Sequence, residues 1–216
     1  MYKTMKKILT ILAVLFTVAL VSCEPQTVPP TIEDNFDYYN TDSVIGSDLA
    51  IMHNIYGDSV AFFETQFFYK YNFNTNCPDS NGVVKLVNVF QYKEFTTQLH
   101  HFIDSAEING LVEFANKIPV PHTYSIDTNS NDYLFILTVK SPWVEDVVMR
   151  MDSVNISLDG AYRIMCSLEQ VLPESNFAVM RQPLMNPQPT HPYYIFGIVG
   201  NYIIIDSKTG KVLNEF

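Results

Sequence analysis

Tryptophan occurs once in this chain, at Trp143, cysteine three times, and 13 basic residues face 23 acids. The shortage of Lys and Arg leaves a formal net charge of −10, a surface that repels phosphate backbones and excludes a nucleic-acid partner. Long apolar runs are lacking too. The longest, residues 8–21, is 14 residues broken only by Thr10 and Thr17, and crossing a hydrocarbon core takes roughly 20. The short motifs of catalysis are also missing. There is no Gly-x-Ser-x-Gly elbow, Gly210-Lys211 lacks the upstream glycine of a phosphate loop, and Cys166 has no local thiol-nucleophile pattern. The acids are scattered, and their number alone does not make the carboxylate pair of sugar hydrolysis. The chain therefore reads as a protein that binds, not an enzyme, and no cofactor is implied.

What is present begins with an address. Lys3, Lys6 and Lys7 precede the apolar run with no acid among them, and small residues close it. A basic start, a short apolar stretch and a small-residue end describe an export segment, residues 1–22. Leu20-Val21-Ser22-Cys23 then resembles the lipobox of bacterial lipoproteins. That resemblance implies cleavage before Cys23, a diacylglycerol on its sulfur and an acyl chain on the new amino group. Several acyl chains hold a membrane stably where one binds only marginally. Glu24 is not the aspartate associated with retention at the inner membrane, so the resemblance places the protein in the cell envelope, at the outer membrane. Without the export segment and its three lysines, 194 residues remain (216 − 22) and the net charge falls to −13.

Beyond Cys23 stand Cys77 and Cys166. In an exported protein this pair can form a disulfide or stay as two independent thiols. On a helix expected at 158–172, Leu158, Ala161, Ile164, Met165, Leu168 and Leu172 make one apolar face while Cys166 falls beside Arg163 and Gln170, free to meet a partner.

Residues 23–41, with Pro25, Pro29 and Pro30, read as a flexible tether. Two small α+β units are expected after it, 42–152 and 153–216, each an antiparallel sheet packed with a helix. In the first, 61–73 alternates Phe63, Thr65, Phe67, Tyr69, Tyr71 and Phe73 against polar neighbours, and 83–95 is apolar and β-branched, so the two predict a hairpin. Thr96 is placed as the cap of a helix through Leu99, Phe102, Ile103 and Ala106 toward Phe114, stopped by Pro119 and Pro121. Strands are expected at 132–140 and 144–151. In the second unit Ser157 caps the helix at 158–172, and 177–182, 193–199, 202–205 and 211–213 are strands. Asp206 is expected to accept backbone amides in the last turn, with Gly210 at positive φ.

The helix with Ala161 on its core face, the aromatic-rich strands after it, and Tyr202, Asp206, Thr209, Gly210, Lys211 and Val212 in "Y-x-x-x-D-x-x-T-G-K-V" resemble the PepSY domain over roughly residues 153–216. The resemblance implies a PepSY-like or cystatin-like fold and a role in binding or restraining an exported peptidase. A competing reading is a glycan-binding accessory lipoprotein of an uptake system. It draws on Trp143 beside Pro142, and on Met185, His191, Tyr193 and Tyr194 in and after a proline-rich loop. His100 and Asp104, four apart on the expected helix, have the spacing of metal ligands but read as solvated, since no third ligand is recognisable among His53, His122 and His191.

Overall fold

A computed structural model describes residues 41–69, 83–102, 106–127, 133–142, 148–168, 177–183, 189–198 and 201–213. These contain helices α1 (Thr41–Tyr56), α2 (Ala106–Asn116) and α3 (Leu158–Cys166), with nine strands. The strands are β1 (Ala61–Tyr69), β2 (Val83–Tyr92), β3 (Phe95–Phe102), β4 (His122–Asp127), β5 (Tyr133–Val139), β6 (Phe177–Arg181), β7 (Tyr193–Ile198), β8 (Asn201–Asp206) and β9 (Val212–Leu213). All nine belong to one antiparallel sheet in the order β4-β5-β3-β2-β1-β6-β7-β8-β9. The fold is α+β.

One continuous sheet replaces the two separate sheets expected. A helix followed by a three-strand meander occurs twice, as α1-β1-β2-β3 and α3-β6-β7-β8, and the two leading strands β1 and β6 pair with each other. The boundary expected at 152/153 therefore runs between strands of a shared sheet. The reason is physical: either half alone would expose a β1 or β6 edge carrying Phe67 or Met180, both fully buried here, and pairing removes both edges at once.

Helices α1 and α3 cover one face of the sheet, called here the front. Val44, Ile45, Ile51 and Met52 recur at helical spacing on α1, and Leu158, Ala161, Tyr162 and Met165 on α3. They pack with Phe62, Phe67, Leu86, Phe90, Leu99, Tyr194, Phe196 and Ile205 in a shared core. Burying each large side chain contributes about 1.5–3 kcal/mol relative to exposure. On the back face α2 covers the β3–β5 end, setting Ile108 and Ala115 against Phe102, Phe135 and Leu137. Ser157 caps α3 as its sequence predicts, its hydroxyl accepting from the amide of Gly160 at 3.1 Å.

The helix expected from Thr96 is instead strand β3, followed by the shorter α2. Lys93 at φ 53° closes a tight turn that folds 95–102 back on β2 over its whole length, a ladder that outweighs the coincidental helical spacing of Leu99 and Phe102. Strand β4 and helix α1 were not expected. The strand expected at 144–151 is not regular over its described part, 148–151: Met149 donates one backbone bond to Phe62 (2.8 Å) and Met151 opens a single 3-10 turn. Helix α3 is assigned to Cys166, the rest of the expected span lying mostly outside the described residues.

Candidate functional site

Two polar constellations are built into the sheet. The first is inside the front-face core. Asp48 stands in the apolar stripe of α1, and both it and His101 are wholly buried. His101 Nε2 lies 2.8 Å from Asp48 Oδ2, Asn88 Nδ2 donates to the same oxygen at 2.6 Å, and Thr65 donates to Asn88 Oδ1 at 2.7 Å. Helix α1 is thereby tied to β1, β2 and β3 by one chain of buried bonds. A buried polar network of this kind fixes a single helix position on the sheet. The sequence does carry a trace of it: an acid between Ile45 and Leu49, amid Val44, Ile51 and Met52, is a polar residue where the helical period puts core.

The second constellation lies on the back face. The register brings Glu64, Arg181, Tyr193 and Asp206 into one cross-strand row over β1, β6, β7 and β8. Arg181 Nη1 is 3.7 Å from Glu64 Oε2, and Gln66 donates to Glu64 Oε1 at 2.5 Å. The His191 ring stacks on Tyr193 with centroids 5.3 Å apart, and its Nε2 lies 3.0 Å from Asp206 Oδ1. Asp206 Oδ1 also accepts the amides of Lys208 (2.8 Å) and Thr209 (2.9 Å), the turn bonds its sequence context predicts, and Gly210 has φ 71°. Burial pushes the Asp206 carboxyl upward, but His191 and the two amides outweigh it and hold it below its usual value. Tyr193 is raised by burial and by the neighbouring Asp206. Ser207 locks this turn in place: its hydroxyl donates to the Pro192 carbonyl at 2.6 Å, and its own carbonyl accepts the amides of Asn155 and Ile156.

Of the binding surface expected from the sequence, His191 and Tyr193 come together on the back face. Tyr194 does not join them. As the next residue of a strand it points the other way, is buried in the front core and donates its hydroxyl to Ile156 O at 2.8 Å. Trp143, Met185, Cys23 and Cys77 lie outside the described residues. Cys166 is disulfide-bonded. The metal spacing drawn on a helix for His100 and Asp104 does not hold for His100, which is on strand β3, and Asp104 lies outside the described residues. His100 is buried between Phe102 and Phe135 with Nε2 3.1 Å from Gln98 Oε1. Among the described residues no three His, Cys, Asp or Glu side chains are grouped to hold a metal, and no helix is long and apolar enough to cross a membrane.

Compared with protein-family models, curated proteins and solved structures, the chain matches none.

Proposed function

We propose that this is a lipid-anchored protein of the cell envelope, held at the outer membrane through Cys23, whose folded part acts by binding another exported molecule. The observation that supports export most directly outside the leader itself is the disulfide at Cys166. Disulfides persist in oxidising compartments and are rare where thiol reductants circulate. If the Cys23 sulfur carries lipid, Cys77 is the one cysteine left to pair with Cys166. The PepSY-like end, with its Asp206–Gly210 turn, supports a role in binding or restraining a peptidase. The second reading is a glycan-binding accessory role, with the stacked His191–Tyr193 pair as its candidate contact.

Metabolic labelling with a fatty-acid analogue tests the anchor: the wild type should take up label and Cys23→Ala should not. Equal labelling of both proteins would defeat the lipoprotein assignment. Recovery of a co-exported peptidase with the tagged protein would favour the first role, and glycan-array binding lost in Tyr193→Ala the second.

A further inference from the structure

Among the described residues, the two edges of the sheet are unlike. At one end β9 is two residues long, short enough to offer another strand little to pair with. At the other, β4 runs six residues in unbroken register with β5, with no bulge and neither Lys nor Pro between His122 and Asp127. Pro121 before it and Asp127 at its end are its edge-blunting residues, and the five positions between Pro121 and Asp127 carry none.

The ladder fixes which groups face outward. Lys140 donates its amide to the Pro121 carbonyl at 2.9 Å, so Pro121 and Lys140 form a bonded pair. In an antiparallel ladder bonded pairs alternate, and the register carries the pattern to Thr123–Thr138, Ser125–Ile136 and Asp127–Leu134. The amides and carbonyls of His122, Tyr124 and Ile126 therefore point away from β5, toward the open edge. Their side chains lie on the back face beside α2, where Tyr124 stacks on Phe135 at 5.4 Å. Tyr124 (39% exposed) and Ile126 (40%) are large apolar groups in water, and Val120 (37%) and Phe114 of α2 (58%) are exposed at the same end of the fold. A regular open edge rimmed by apolar side chains is the arrangement used for strand addition, in which main-chain bonds give affinity and alternate side chains give selectivity.

Building on the interaction role above, we propose that β4 receives an extended segment of a second exported protein as a tenth strand, and that this segment alternates basic with aliphatic residues. Charge decides the chemistry of the occupant. The chain has a net charge of −10, and −13 without its leader, while the basic groups near the edge are already engaged, Lys117 with Glu113 and Lys140 with Glu94. Like charge disfavours a second copy of this chain, and six residues of strand bury far less than the roughly 1,200–2,000 Å² of a stable protein–protein interface. A peptide strand needs no such area because its bonds are main-chain. It would meet Tyr124 and Ile126 with its aliphatic side chains.

The probe is an acetylated, amidated Lys-Val-Lys-Val-Lys-Val-Lys peptide, added to the full-length protein in detergent, with amide exchange followed residue by residue. Protection should rise at His122, Tyr124 and Ile126 and stay unchanged at Thr123 and Ser125, whose amides already bond β5. Tyr124→Pro removes only an outward amide and should weaken binding at least tenfold while the melting transition is kept. Ile126→Lys, which leaves the backbone intact, should weaken it as well, so a poorly folding proline variant leaves the test standing. Binding that both variants retain, or protection spread over the acidic surface, would show plain charge attraction and overturn the proposal. So would absence of peptide binding, or a dimer in sedimentation that Tyr124→Pro dissociates. None of these outcomes touches the lipid-labelling result on Cys23, which stands or falls separately.

Discussion

Replacing Asp48 with alanine probes the bond that fastens α1 to the sheet. In the native fold its carboxylate takes a 2.6 Å bond from Asn88 and faces the His101 ring at 2.8 Å, with both Asp48 and His101 at zero exposure. The variant would leave the Asn88 and His101 donors buried with that acceptor gone. An unsatisfied buried donor costs about 1–3 kcal/mol, more where the lost partner was a charged group, and two donors are stranded at once. A loss of about 3–5 kcal/mol is expected. With a urea slope of about 2 kcal/mol/M, the unfolding midpoint should fall by about 2 M with the slope unchanged. The same loss should lower Tm by about 10 °C. His101→Ala combined with Asp48→Ala should cost less than the sum of the two by about 0.5–3 kcal/mol, because the second change removes a group the first had already stranded. Midpoints within about 0.5 M of the parent, or strictly additive losses, would refute the idea that these residues form one unit.

Two further outcomes can be measured on the same protein. Burial, with Lys85 and His101 nearby, pushes the His100 pKa down to about 3 in the folded state, against about 6.5 unfolded. Between those values the unfolded chain binds the extra proton, so stability is full above about pH 6.5 and drains away as pH falls toward 3. Urea midpoints between pH 7 and 4 should therefore fall less steeply in His100→Leu; identical slopes would show that His100 does not contribute. At Gly210, φ 71° and an added Cβ 3.0 Å from Ile164 Cδ1 mean that Gly210→Val should cost about 1 kcal/mol or more. A melt unchanged in that variant would mean the last turn is not packed on α3.

The closing turn was legible in the sequence because it is local chemistry. Asp206 reaches amides two and three residues on, and Gly210 supplies a φ that other residues avoid, so nothing distant is needed. The same holds for the Ser157 cap and for the β1–β2 hairpin, whose alternation is written along the strands themselves. Residues 95–102 mark where local reading fails. Their spacing suits a helix, and only the Lys93 turn together with a ladder to both β2 and β5 makes them a central strand. The joining of β1 to β6, 117 residues apart at Glu64↔Arg181, gathers Glu64, Arg181, Tyr193 and Asp206 into one row, and the α1 stripe meets His101 only across the sheet. Charge, turns and caps were thus determined by neighbouring residues. Which face Tyr193 and Tyr194 take, which edge stays open and which polar groups meet were decided by strand order, because pairing partners are chosen by the burial of whole faces and not by any short stretch of chain.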